Sequence, residues 1–187
     1  MLNIYNLETS NHVNGNGNRF VIWVQGCDLA CEGCWNQQTW SFEDKQLISV
    51  NDLFDKIQEH IDTLDGITFT GGEPFLQSQK LAELAGLIKE QTSLSIHVFS
   101  GFDLAEIKEE SGRSKLLGYV DTLVCGRFDG NMPNNNQTLY LFNEELDNWS
   151  FNNSDVEIEI DESNNIKITG YPTNSLINEI KDADARV

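Results

Sequence analysis

The chain has 187 residues, 39% of them apolar and 10% aromatic, enough for one domain with its own core. Its 30 acidic residues against 12 basic ones leave a formal net charge of −18, which argues against a phosphate-binding face and against nucleic acid as a partner. No apolar run approaches the roughly 20 residues of a transmembrane helix. The opening MLNIYNLETSNHVNGNGNRF has neither a basic n-region nor an apolar h-region, so the expectation is a cytoplasmic chain with reduced thiols and no membrane partner.

In chain order, NGNGN (14–18) is a Gly/Asn punctuation mark, and RFVIWVQ (19–25) reads as a buried strand ending at Gly26. A cysteine-rich loop follows directly. SVNDLFDKIQEHIDTL (49–64) reads as a helix, with Ser49 and Asp52 resembling a capping box and Leu53, Phe54, Ile57, Ile61 and Leu64 on one face. GITFT (66–70) is a short strand that GGEP (71–74) ends. SQKLAELAGLIKEQ (78–91) is a helix with Leu81, Leu84, Ala85 and Ile88 inward, and SLSIHVFSG (93–101) is strand then turn. DLAEIKEE (103–110) is a short helix capped by Asp103, and VDTLVCGRF (120–128) another strand.

Strands alternating with helices imply an α/β fold with a parallel sheet and right-handed crossovers, whose chemistry sits at the carboxyl ends of the strands. The cysteine loop, GGEP, Ser100-Gly101 and Cys125-Gly126 all fall at those ends. After a polar loop at 131–137, residues 155–172 alternate in period 2 around a turn at Ser163–Asn165 and read as an antiparallel hairpin. Residues 173–184 read as a final helix capped by Thr173. The expected division is a core over 1–150 with a C-terminal hairpin and helix over 151–187 packed on the same domain.

Cys27, Cys31 and Cys34 stand in the spacing C-x3-C-x2-C, and Cys125 is the one remaining cysteine. The spacing alone leaves structural zinc, an iron–sulfur site, a redox pair and buried thiols open. Zinc wants a closed set of four ligands, to which Cys125 would be the fourth, with His12, His60 and His97 weaker candidates. Three thiolates on a four-iron cluster leave one iron open, and an open position is where a metal site does chemistry. GGEP, taken alone, is an ordinary Gly-Gly turn with a Pro stop.

Together, the three cysteines after the first strand and Gly71, Gly72, Glu73 and Pro74 after the second resemble the radical S-adenosylmethionine (SAM) enzymes. Within them the chain resembles the small activases that install glycyl radicals, best those of anaerobic ribonucleotide reductase. The subgroup likeness rests on Asn14, Gly15, Gly17 and Arg19 before the strand, Gly33 before and Trp35-Asn36 after the third cysteine, Thr39-Trp40, VFSGF (98–102), GRF (126–128) and Asn136-Gln137. It runs from residue 12 to about 140. The chain departs from the subgroup at Cys125, where aspartate is usual, and at Met132–Asn135.

The resemblance implies a small part-closed (βα) barrel. It implies a [4Fe–4S] cluster on Cys27, Cys31 and Cys34, with SAM on the open iron, reductively cleaved to a 5′-deoxyadenosyl radical. The methionine end of SAM would meet Gly71, Gly72 and Glu73, the adenine the backbone of Gly33, Cys34 and Trp35, and Ser100 would hydrogen-bond SAM or cap the turn before Asp103. No catalytic side chain is implied beyond the cluster and the SAM site. The implied partners are a glycyl radical enzyme, whose glycine Cα–H is the substrate, and a flavodoxin- or ferredoxin-type electron donor. A radical SAM enzyme modifying a peptide or small molecule, and a non-enzymatic zinc or iron–sulfur module, stand as the other readings. Cys125 reads as a buried thiol, and Arg127 as a surface ion pair or a carboxylate ligand.

Overall fold

The computed structural model describes residues 1–131, 136–143, 146, 156–160, 166–170, 175, 176 and 179. Residues 132–135 of the expected polar loop and the turn at Ser163–Asn165 lie outside them. So does the final helix over 173–184, apart from Ser175, Leu176 and Glu179.

Seven strands form one mixed sheet in the order β3-β1-β2-β4-β5-β6-β7. Four are parallel neighbours: β2 (Arg19–Val24), β4 (Gly66–Gly71), β5 (Ser95–Ser100) and β6 (Thr122–Cys125). Between them run α1 (Val50–Gln58), α2 (Ser78–Gln91), and the pair α3 (Leu104–Glu109) and α4 (Ser111–Leu117). Each new parallel strand is added on the same side of the last, so right-handed crossovers put every helix on one face of the sheet. Phe20, Ile22, Val24, Ile67, Phe69, Ile96, Val98 and Leu123 point to that face and join Leu53, Ile57, Leu81, Leu84, Ile88, Ile107 and Leu116 in one core.

The alternate residues point to the other face, and many are polar. Arg19, Thr68, His97 and Thr122 are each fully buried there. The Arg19 guanidinium donates from Nε to Thr68 Oγ1 (2.7 Å), from Nη1 to Asn16 O and Ser95 Oγ, and from Nη2 to Ile67 O (2.6 Å) and Ser95 O. Burial lowers its pKa to about 10, against the pull of Asp121 and Asp65. Thr68 Oγ1 in turn donates to Asn14 O, so the NGNGN loop is tied across this face.

The edges are antiparallel, which the period of the sequence does not announce. β1 (Leu2–Glu8) pairs β2, and β3 (Leu47–Ile48) pairs β1. A bulge between Ile4 and Asn6 breaks the alternation of LNIYNLE and hides the strand from a period-2 search. β7 (Thr138–Leu141) pairs β6 at the opposite edge.

The helix expected over 49–64 is shorter. It ends at Gln58, and Ile61–Thr63 form a 3-10 turn. Ile61 and Leu64 still pack on the core, because over a single turn the i, i+3 spacing serves either helix. Ser49 caps α1, its Oγ accepting from Asp52 N–H. Glu110 ends α3 and caps α4 by accepting from Gly112 and Arg113 N–H, a second helix that Ser-Gly-Arg-Ser does not advertise. The hairpin expected over 155–172 is present as β8 (Val156–Ile160) paired antiparallel with β9 (Ile166–Gly170). Among the described residues, no helix is long and apolar enough to cross a membrane.

Candidate active site

A cavity of about 430 Å³ opens at the carboxyl ends of the parallel strands. Cys27, Cys31, Cys34, Trp35, Gly71, Gly72, Glu73 and Ser100 all line it. Gly33, the remaining expected site residue, packs elsewhere. It adopts φ +72, and a Cβ on it would stand 2.8 Å from Gly130 Cα, while Gly130 N–H donates to Glu32 O at 2.9 Å. Gly33 thus lets the loop after β6 close against the cysteine loop.

The cysteine loop leaves β2 through Gly26 at φ +104 and turns again at Ala30 and Gly33, both at positive φ. Its ends are tied together: Gly26 N–H donates to Thr39 O (2.7 Å), and Cys27 N–H to Trp40 O (3.2 Å). Inside the loop Cys34 N–H donates to Cys31 O, and Asn36 N–H donates to Cys34 Sγ at 3.4 Å. All three thiols are free and half-buried. Burial pushes the Cys27 thiol up to about 11, with the negative groups of Glu73, Cys31 and Cys34 adding to the rise.

Among the described residues, no three His, Cys, Asp or Glu side chains are drawn up to hold a single ion. The three cysteines line one cavity. A zinc ion needs its ligands on one point, about 2.3 Å away for sulfur. A cluster binds each thiolate through a different iron, which three thiols lining one cavity can accommodate. Cys125 does not complete a tetrahedron, because it lies in the hydrophobic core, 3% exposed, with burial raising its thiol to about 11.

The GGEP segment is knitted to the cysteine loop by backbone. Gly72 N–H donates to Val24 O (2.8 Å) and Glu73 N–H to Gly26 O (2.9 Å). A Cβ on Gly72 would run into the Gly26 carbonyl, so the glycine is needed for this approach of backbone to backbone. Glu73 is 1% exposed. Its Oε1 accepts from Phe75 N–H (3.0 Å) and Ser100 Oγ (2.9 Å), its Oε2 from Gly101 N–H (2.7 Å). Burial nevertheless raises its pKa to about 7. Ser100 therefore spends its hydroxyl on Glu73 while accepting from Phe102 N–H, which caps the turn.

Of the remaining walls, Tyr5, Asn6, Glu8 and Thr70 were not singled out from sequence, whereas Phe99, Gln137 and Trp40 lie in segments that carried the resemblance. Tyr5, Asn6 and Glu8 come from the bulged β1, Thr70 from β4, Phe99 from β5, and Gln137 from the residue just before β7. Trp23 and Trp40 line the cavity as rim aromatics. The usable signal was the alternation of polar with apolar residues inside strands otherwise fully buried. His97 sits under the site with its Nδ1 2.6 Å from Thr122 Oγ1, and burial holds its pKa well below the usual range. Arg127 makes a bidentate pair with Glu106 (2.9 and 3.0 Å) at the surface.

Residues 13–143 match the family described as "4Fe-4S single cluster domain". The anaerobic ribonucleoside-triphosphate reductase-activating protein of Pasteurella multocida is 35% identical over 129 residues, 63% of this chain and 78% of that protein. Its counterpart from Enterobacteria phage T4 is 31% identical over 126 residues, 65% and 78% of the two chains. The pyruvate formate-lyase-activating enzyme of Listeria monocytogenes is 37% identical over 90 residues, 46% of this chain but 36% of its own length.

Proposed function

The chain belongs to the 4Fe-4S single cluster domain family, within the radical SAM enzymes, and from this premise we propose that it activates a glycyl radical enzyme, an anaerobic ribonucleotide reductase being the leading partner. The observation that carries the reading is one cavity lined by three free thiols and by the Gly71-Gly72-Glu73 segment.

The donor set fits the cofactors of the family. Cys27, Cys31 and Cys34 would hold a [4Fe–4S] cluster, leaving one iron for SAM. Gly71, Gly72 and Glu73 would meet the amino end of SAM, and Cys34 and Trp35 its adenine, with Gly33 shaping the loop behind them. Because Gly72 and Glu73 spend their N–H groups on strand β2 and the loop, this segment offers an ammonium group acceptors: carbonyl oxygens and a carboxylate. An ionised carboxylate accepts about four hydrogen bonds, and Glu73 has three donors around it. Bound together, cluster and SAM supply hydrogen-atom abstraction from carbon, begun by one-electron reductive cleavage of SAM.

The protein's own contribution is orientation and exclusion of water. Trp23, Trp35, Trp40 and Phe99 line the cavity with aromatic surface, and Ser100 and Gly101 hold the Glu73 carboxylate in place. With all helices on one face, the sheet is read as a part-closed barrel around this site, with a core over 1–150 and an extension over 151–187. Free thiols at a cluster site call for a reducing compartment, which supports the cytoplasm, and a flavodoxin- or ferredoxin-type protein as electron donor.

Anaerobic reconstitution with iron and sulfide, followed by SAM and a strong reductant, tests this directly. The expected product is 5′-deoxyadenosine, absent from Cys31→Ala. With the reductase present, the doublet of a glycyl radical is expected by electron paramagnetic resonance. A wild type that loads a full cluster and cleaves no SAM with the reductase present overturns the reading.

A further inference from the structure

The family match ends at residue 143, yet the β8–β9 hairpin beyond it forms part of the cavity wall through Ile168, Thr169 and Gly170. Its base is pinned. Asn11, fully buried, donates from Nδ2 to Glu8 Oε2 (2.9 Å) on the cavity wall and to Thr169 Oγ1 (3.2 Å) on the hairpin. His12 N–H donates to Glu157 Oε2 at 3.3 Å.

The register sets Ile158 opposite Ile168 and Ile160 opposite Ile166, so the four isoleucines share one face. That face emerges from the molecule outward from the base. Ile168 is half-buried on the cavity, whereas Ile158 is 45%, Ile166 42% and Ile160 66% exposed. Continuous apolar surface of this kind, on a chain of net charge −18, marks a contact site better than it serves solubility. The position is also telling, because a polypeptide that presents a Cα–H to this cavity enters a space that the hairpin helps to wall.

Resting on the activase reading, we infer that the hairpin is the docking ledge for the partner polypeptide. Ile158, Ile160 and Ile166 receive an apolar patch beside the partner's glycine loop, and the chain's net charge of −18 favours Lys and Arg around that patch. Chemistry would then be shared with the relatives, while the choice of partner is set by an element outside the shared family region.

The test compares the wild type with Ile158→Ser/Ile160→Ser/Ile166→Ser, using the anaerobic ribonucleotide reductase of the same organism as probe. Three quantities are read: the Kd for the reductase at low and at physiological salt, 5′-deoxyadenosine formed without reductase, and the sedimentation of each protein alone. The expected result is at least a tenfold rise in Kd for the variant, a wild-type Kd that weakens with salt, and unchanged reductase-free SAM cleavage. The inference is overturned by an unchanged Kd, or by a wild type that does not bind the reductase. It is equally overturned by loss of reductase-free cleavage in the variant, which would make the hairpin an enclosure for cofactors. A wild-type dimer that the variant dissolves would give the face to a second copy of the chain. Failure of the activase reading is separate, since it shows as a fully loaded wild-type cluster that cleaves no SAM.

Discussion

Glu73 is a buried carboxylate whose donors do not fully repay its desolvation. Its folded pKa of about 7 lies above the ordinary 4.5, so the folded state binds its proton more tightly than the unfolded chain does. The resulting stabilisation is complete below pH 4.5 and is lost as pH rises through 7, about 3 kcal/mol in all. Urea midpoints of metal-free protein between pH 4.5 and 8 should fall for the wild type relative to Glu73→Gln, which removes the titration. Equal slopes would place the carboxylate in a wetter setting. Arg19 poses the opposite case, a cation held by hydroxyls and carbonyls on the buried polar face. Arg19→Met leaves the Ile67 and Ser95 carbonyls without that donor and should cost about 3 kcal/mol or more by urea denaturation; a loss under 1 kcal/mol would show that water replaces the guanidinium.

At the scale of elements, the parallel strands and α2 were legible because hydrophobic period and length agreed, and α2 matches its expected span, Ser78–Gln91. The thiols and GGEP could be read together because both fall at strand ends and jointly carry the resemblance, and the structure brings them to one cavity. What escaped was built on broken periods: the bulge in β1, the two-residue β3, and α4 starting from Ser-Gly. These omissions mattered for the site, since β1 supplies Tyr5, Asn6 and Glu8 to the cavity. The reason for the glycines was also only partly legible, because a backbone-to-backbone contact leaves no trace in composition. Gly72→Ala places a methyl group against the Gly26 carbonyl. Iron content after anaerobic reconstitution should drop severalfold while far-ultraviolet circular dichroism is retained; full loading would mean that the two loops part without consequence. In the core, Leu84→Ala should cost about 2–5 kcal/mol, as for other fully buried leucines.

For the whole molecule, a net charge of −18 on 187 residues means self-repulsion in the compact state. Thermal midpoints should rise as sodium chloride is taken from about 0.01 to 0.15 M, where the screening length shrinks from about 30 to 8 Å; a flat response would show that the charges are already locally compensated. The same bulk charge argues against a phosphate-binding face, and it makes the exposed isoleucines of the β8–β9 hairpin noticeable. The bonds from Gly72 to Val24 and from Glu73 to Gly26 join parts of the chain that are made at different times. Glu73 follows Cys34 by 39 positions, which at about 5–20 residues per second is some seconds of synthesis. During that interval the nascent chain carries three thiols with no second wall to hold a guest. The wall that faces the thiols therefore exists only once β4 has been made and has paired with β2.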